Sequence, residues 1–150
     1  DFNRRWLMDK QQTAVKNFLM KAYYVDEHIN SKLEQVASLN ELAVKATSTM
    51  SDMPGSPNRN IHKTEDIIVK ILDLQREIQE DANELLNLKQ MIRRCIKQVP
   101  DPESQIILEE RYLRMVKWEQ IATTMKMSMR TVFRLHDESL KKIVIPESWQ

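Results

Sequence analysis

The sequence predicts an all-α protein: a long antiparallel helical hairpin, coiled-coil-like in its apolar spacing, followed by a C-terminal trihelical helix-turn-helix unit. Three observations lead there. One glycine and three each of Phe, Trp and Tyr in 150 residues leave little for tight hairpin turns or aromatic-rich strands. Nine methionines and 30% charged residues fit long helices. Two long stretches repeat apolar residues at intervals of three and four, and a third, shorter region carries three amphipathic segments in succession.

Taken in order, residues 1–8 (DFNRRWL, then Met8) read as a frayed or non-native extension with no functional weight. Residues 9–99 form the hairpin. From about Gln11 to Ala46, Val15, Phe18, Ala22, Val25, Ile29, Val36, Leu39, Ala43 and Ala46 recur at heptad-like spacing, with Lys32 as the interruption. Leu19 and Leu33 widen the stripe. With no internal Gly or Pro, this helix would be on the order of 50 Å long. Residues 47–63 (TSTMSDMPGSPNRNIHK) hold Gly55, Pro54 and Pro57 and read as an exposed, mobile connection. The second long helix opens near Thr64. Ile67, Ile71, Leu74, Ile78, Leu85, Leu88, Ile92, Cys95 and Val99 hold its seam, with Asp81 at the one polar position. Asp81 either sets the register of the pair or marks a stretch where Ala82 turns inward. Acids lead this helix and Lys89, Arg93, Arg94 and Lys97 close it, complementing the helix dipole.

Two helices alone enclose little core, so Ile71, Leu74, Ile78, Leu85, Leu88 and Ile92 are expected to serve a partner interface. A four-helix homodimer is the simplest form of it.

Residues 100–143 form the helix-turn-helix unit. Its first helix opens at Asp101-Pro102, where a proline at the first turn and an acidic cap are both favourable. Ile106, Ile107, Leu108, Tyr112 and Leu113 supply apolar surface. The second helix, around Lys117 to Met125, turns Trp118, Ile121, Ala122 and Met125 inward. The turn is Lys126-Met127-Ser128, with Met127 plugging the core and Ser128 capping a third helix in which Val132, Leu135, Leu140 and Ile143 repeat inward. Its outward positions are Met129, Arg130, Thr131, Phe133, Arg134, Asp137, Lys141 and Lys142. Six Lys/Arg face three acids between Lys117 and Ile143, a local excess of +3 in a chain whose total is +1. In a helix-turn-helix, residues near the start of the third helix reach base edges and later cations meet phosphates. Ser128, Met129, Arg130, Thr131, Phe133, Arg134, Lys141 and Lys142 are therefore the candidate DNA contacts. For Met129 and Phe133, thymine-methyl contact and core or partner packing are evenly matched readings. His136 reads as a packing or helix-face residue. Residues 144–150 form a tail, with Pro146 and Trp149, that folds back or stays loose.

PDPESQIILEERYL followed by WEQIATTMKMSMRTVFRLHDESLKKI resembles region 4 of bacterial sigma factors, which reads the −35 promoter element. It is closer still to the sigma-region-4-like proteins of phages and prophages of Gram-positive bacteria, a group near the ArpU and RinA late-transcription regulators. The resemblance places Met129, Arg130, Thr131, Phe133 and Arg134 in the groove. It gives Arg111 the role of a backbone-contacting arginine and implies RNA polymerase as a partner. Two departures stand out. The family's turn glycine is Lys126 here, so a residue with a Cβ must accept positive φ. Met129 and Phe133 stand where sigma factors favour charged residues, so promoter base preferences do not transfer.

Other chemistry finds no support. A lone cysteine, Cys95, rules out an internal disulfide framework, fits a reducing cytoplasm and reads as a small buried hydrophobe. His28, His62 and His136 are scattered and make no metal set with it. A single glycine cannot build a phosphate-binding loop. The acid pairs Glu65-Asp66, Glu80-Asp81 and Glu109-Glu110 lack a nucleophile and read as solvated surface. No apolar run approaches the roughly 20 residues needed to span a bilayer. The expectation is a non-enzymatic, cofactor-free, cytoplasmic regulator that binds double-stranded DNA and uses the hairpin either to form a homodimer or to dock to another protein, which the resemblance implies is RNA polymerase. The rival is a protein-interaction module that works through the hairpin and whose helix-turn-helix no longer reads DNA. A DNA-packaging or recombination accessory is the third option.

Overall fold

A computed structural model describes residues 8–49 and 57–149 of the chain, and every regular element among them is helical. The order is α1 (Lys10–Leu19), α2 (Lys21–Thr49), α3 (Pro57–Ile96), α4 (Pro102–Leu108), a π-turn (Glu109–Leu113), α5 (Trp118–Met125) and α6 (Met129–Leu140), closed by a 3₁₀ turn at Glu147–Trp149. Two expected boundaries move. The first long helix is interrupted at Met20, and α3 begins at Pro57 rather than near Thr64. Proline belongs in a first helical turn, where its missing N–H has no acceptor to reach. The expected 47–63 connection therefore shrinks from both ends, and residues 50–56, like 1–7, lie outside the described residues.

The chain divides into two compact units, residues 25–84 and the remainder, whereas the sequence places the boundary at Val99-Pro100. Burial explains the difference. Val15, Phe18, Leu19 and Ala22 of the N-terminal helices and Leu88, Ile92, Cys95, Ile96 and Val99 near the end of α3 are all removed from solvent, as are Ile107, Leu108, Tyr112, Val132 and Leu140. They belong to one unit, and a trihelical element of some 40 residues is too small to enclose a sufficient core without such support.

Local signals start each element. Asp9 caps α1 through a reciprocal box: its carboxylate accepts from Gln12 N (2.8 Å), and the Gln12 side chain accepts from Asp9 N (2.9 Å). Asp101 caps α4, accepting from Ser104 N (3.1 Å) and Ser104 Oγ (2.7 Å). Gln105 Nε2 donates to Val99 O at 2.6 Å, which ties the corner before α4. The tail folds back. Gln98 exchanges two hydrogen bonds with the Val144 backbone, at 3.1 and 3.2 Å. Trp149 meets Phe18 edge-on at 6.0 Å, with Lys21 Nζ over both rings.

In the second unit, Lys32 Nζ and Asp81 Oδ2 meet at 2.6 Å. The two polar interruptions of the apolar seams are therefore each other's partner. With Leu39 and Leu74 lining one groove, later residues of α2 lie against earlier residues of α3, so the pair is antiparallel. The Asp81 hydrogen bond holds the Lys32 ammonium above the ordinary lysine value, against the opposing effect of desolvation.

Burial in turn pushes the Cys95 thiol up, and a thiol without thiolate character is a poor nucleophile. Cys95 is expected to resist iodoacetamide in the native protein and to react on denaturation in urea, as read by mass spectrometry. Ile92→Ala, which opens a cavity at a fully buried position, is expected to cost about 2–5 kcal/mol in urea unfolding.

Candidate nucleic-acid interface

The helix-turn-helix is built around Ile107, Ile121, Ala122 and Val132, with Val116, Trp118, Met125, Met127, Met129 and Leu135 packed against them. Ala122 leaves room for α5 and α6 to approach. The turn between them depends on Lys126, which ends α5 at φ 56°, ψ 44°. This is the left-handed conformation, costing a residue with a Cβ roughly 1–2 kcal/mol relative to its usual regions. Met127 N donates to Ala122 O (3.0 Å), and Met127 seats in the core. Ser128 Oγ then accepts from Thr131 N at 3.1 Å and caps α6. The preceding segment has two features the sequence does not announce. The residues after α4 widen into a π-turn, and Met115 takes φ 59° where the chain reverses toward α5.

Under α6 lies a buried polar group. His136 is 0% exposed. Its Nε2 is 2.6 Å from the Tyr112 hydroxyl and its Nδ1 2.8 Å from Asp137 Oδ1. A carboxylate can only accept, so Nδ1 carries the proton, and in the neutral ring the Tyr112 O–H donates to Nε2. Tyr112 stacks on the imidazole, and the Trp118 ring meets it edge-on at 4.9 Å. The far end of α6 is held by α1. Gln12 Nε2 donates to Asp137 O (2.6 Å), and Gln11 Nε2 donates to Leu140 O (3.3 Å) and Ile143 O (2.8 Å). Carbonyls in and just after the last turn of a helix lack the full set of i+4 donors, and these side chains help to satisfy them. The Asp9-x-x-Gln12 spacing signals the cap. Nothing in the sequence signals that Gln11 and Gln12 reach a helix more than 120 residues away.

The candidate contacts separate into two groups. Arg130, Arg134, Lys141 and Lys142 are exposed on or just beyond α6, and Ser128 is exposed at its start. Arg130 has no ion-pair partner among the described residues. Arg134 lies 3.7 Å from Glu138 one turn on, an exposed pair that contributes little and can be exchanged. The others are turned inward, wholly or in part. Met129 packs on the core cluster, and Phe133 meets Trp118 edge-on at 5.2 Å, so for both residues the structure favours packing over groove contact. Thr131 is half-buried, its hydroxyl 2.9 Å from Ser128 Oγ. Arg111 lays its guanidinium over the Trp118 ring at 4.7 Å and donates to Val116 O (3.2 Å). In this structure it braces the start of α5.

The expected partner-interface residues are also placed differently. Leu88 and Ile92 are buried within the chain's own core and are not displayed to a partner. Ile71, Leu74 and Ile78 are half-buried along the face of α3 that carries Asp81, and Leu85 is half-buried in the other unit. Ile106 is exposed rather than core. Among the described residues, no group of three His, Cys, Asp or Glu side chains is placed to hold a metal, and no helix is long and apolar enough to cross a membrane.

Two consequences are measurable. Tyr112→Phe leaves the buried Nε2 without its donor and is expected to cost about 1–3 kcal/mol in urea unfolding. The hydrogen bonds from Ser104, with help from Lys142, hold the Asp101 carboxyl below the usual carboxylate range. Its contribution is therefore present above the ordinary aspartate pKa and disappears as pH falls through the lowered one. Asp101→Asn, which still caps, is expected to reduce the acid-side loss of melting temperature between about pH 5 and 2, where carboxylates of this kind titrate.

Residues 44–143, two thirds of the chain, match a family model described as Protein of unknown function (DUF1492). No curated protein and no solved structure matches the chain.

Proposed function

The chain belongs to the DUF1492 family of proteins of unknown function, and we propose that it is a DNA-binding transcription regulator of the phage or prophage type. In this reading α6 enters the major groove of duplex DNA. The observation that carries it is the presentation of α6. A capped turn, a packed α5 and a buried Tyr112–His136 pair hold the helix, while Arg130 and Arg134 stay exposed on its outer face with Lys141 and Lys142 beyond its end. This is the arrangement in which early residues of a recognition helix reach base edges and later cations meet phosphates.

Arg130 and Arg134 are the base-reading candidates in this proposal. Lys141 and Lys142 contact phosphates, and Ser128 can donate to the backbone beside the start of α6. Charge distribution supports the same reading. Residues 1–24 and 85–150 hold seventeen Lys/Arg against ten acids, a net +7, which suits a polyanion. Protein docking falls to the helical hairpin, with RNA polymerase as the partner the sigma-region-4 resemblance implies. With Leu88 and Ile92 taken into the core, the homodimer expected through that seam loses two of its residues.

Fluorescence anisotropy with a pool of short duplexes, including the DNA upstream of the gene, tests the proposal at low and high salt. Arg130→Ala is expected to cost about 1–3 kcal/mol on preferred duplexes and to relax preference at one position. Lys141→Ala or Lys142→Ala is expected to weaken all duplexes alike and lower the salt slope by about 1. Equal effects on every sequence from both kinds of change would refute the division of roles. Absence of binding by a folded sample would move the function to the hairpin as a protein-interaction module.

A further inference from the structure

The hairpin unit, residues 25–84, has two unlike sides. Lys32 and Asp81 meet across the pair, which defines the seam through Lys32, Val36, Leu39 and Ala43 on α2 and Ile67, Ile71 and Leu74 on α3. One side of the seam is a groove lined by Ser31, Glu34, Gln35 and Ser38 of α2 and by Lys70 and Asp73 of α3, with Leu39 and Leu74 at its floor. Five of those six rim residues directly precede a seam residue, and Glu34 is the exception. At about 100° per residue, positions that directly follow seam residues lie on the opposite side of both helices.

That opposite side is apolar and exposed. Leu33 and Val44 on α2 are 50% and 66% exposed, and Ile61, Ile68 and Leu72 on α3 are 40%, 47% and 58% exposed. Leu33, Val44, Ile68 and Leu72 each follow a seam residue by one, and Ile61 lies two turns before Ile68. On each helix the stripe runs on the order of 16 Å, about three turns. Exposed large apolar residues scattered singly need no explanation, but five on one side of one hairpin mark an interaction surface.

Charge selects the occupant. Residues 25–84 hold six Lys/Arg against twelve acids, a net −6. Beside Val44 the surface is lined by Asn40, Glu41 and Lys45, so the acidic balance that faces a partner is that of the unit as a whole, two acids for every base. A second copy would bring −6 against −6 across a low-dielectric contact, where like charges repel strongly. A helix with an apolar stripe flanked by Lys and Arg meets both requirements.

We propose that the apolar side of the hairpin, formed by Leu33, Val44, Ile61, Ile68 and Leu72, docks a basic amphipathic helix of another protein. This uses nothing from the DNA reading, so either can fail while the other stands. It deepens the docking role assigned to the hairpin by naming the face and the chemistry of its partner. The seam residues Ile71, Leu74 and Ile78 hold the hairpin together, and the residues one position on meet the partner.

The test uses the full chain and a fluorescein-labelled synthetic peptide of about 18 residues, long enough for a stable helix on binding, with Leu at i, i+3, i+4 and i+7 and Lys elsewhere. A Leu/Glu peptide of the same pattern is the control. The expected result is micromolar binding of the Leu/Lys peptide and none of the Leu/Glu peptide. Ile68→Ser/Leu72→Ser, at exposed positions that leave the circular dichroism unchanged, is expected to weaken binding at least about tenfold. Leu42→Ser, on the opposite side, is expected to change it less than about twofold. Equal binding of the two peptides, or indifference to the Ile68/Leu72 change, would overturn the proposal. So would sedimentation showing a dimer that this double change converts to monomer, because the face would then belong to a second copy.

Discussion

The structure of the larger unit depends on one buried imidazole. His136 lies on the inner face of α6 with no solvent contact, and both ring nitrogens are engaged. Burying such a ring is tolerable only if each polar atom finds a partner, since an unsatisfied one carries a desolvation penalty. Satisfying it sets the positions of three elements together. The π-turn presents the Tyr112 hydroxyl, Trp118 at the start of α5 closes over the ring, and Asp137 takes the other nitrogen. Asp137 also offers its carbonyl to Gln12 of α1. Tilting α6 would break several of these contacts together, so its outward face is held in one orientation.

The same core draws inward, in part, three residues that the sequence offers as candidate DNA contacts. Met129, Phe133 and Arg111 sit at positions where a recognition unit would display side chains. Met129 packs on the aliphatic cluster, and Phe133 and Arg111 lie on Trp118, where a phenyl ring and a guanidinium both gain by packing on an aromatic surface. What remains outward on α6 is polar and mostly cationic. Residues 25–84 carry the opposite charge balance, six Lys/Arg against twelve acids.

Much of this was readable from residue patterns. The caps at Asp101 and Ser128 and the inward set Ile121, Ala122, Met125 and Val132 follow from local rules that act within a few residues, while the positive φ at Lys126 was implied by the turn glycine of the family it resembles. Lys32 and Asp81 were visible as interruptions in two seams, though not as each other's partner. Other features were less accessible. Ile106 has the right residue type for the core but faces outward, about 100° round the helix from the buried Ile107. The reach of Gln11 and Gln12 to α6 crosses most of the chain. The buried role of Leu88 and Ile92 depends on which element covers them, and periodicity marks an apolar face without naming what lies on it.

The sequence by itself determined the all-helical class, the hairpin, the helix-turn-helix with its turn and caps, and the cationic bias of its last helix. These rest on propensity, capping and periodicity, which are local and add up along the chain. Only the tertiary structure decided that the N-terminal helix and the tail complete the core around the helix-turn-helix. It alone showed that His136 is the buried junction of that core and that one side of the hairpin presents an apolar face. Those outcomes come from competition among many apolar and polar groups for the same buried volume, and that competition is resolved only when the whole chain is folded.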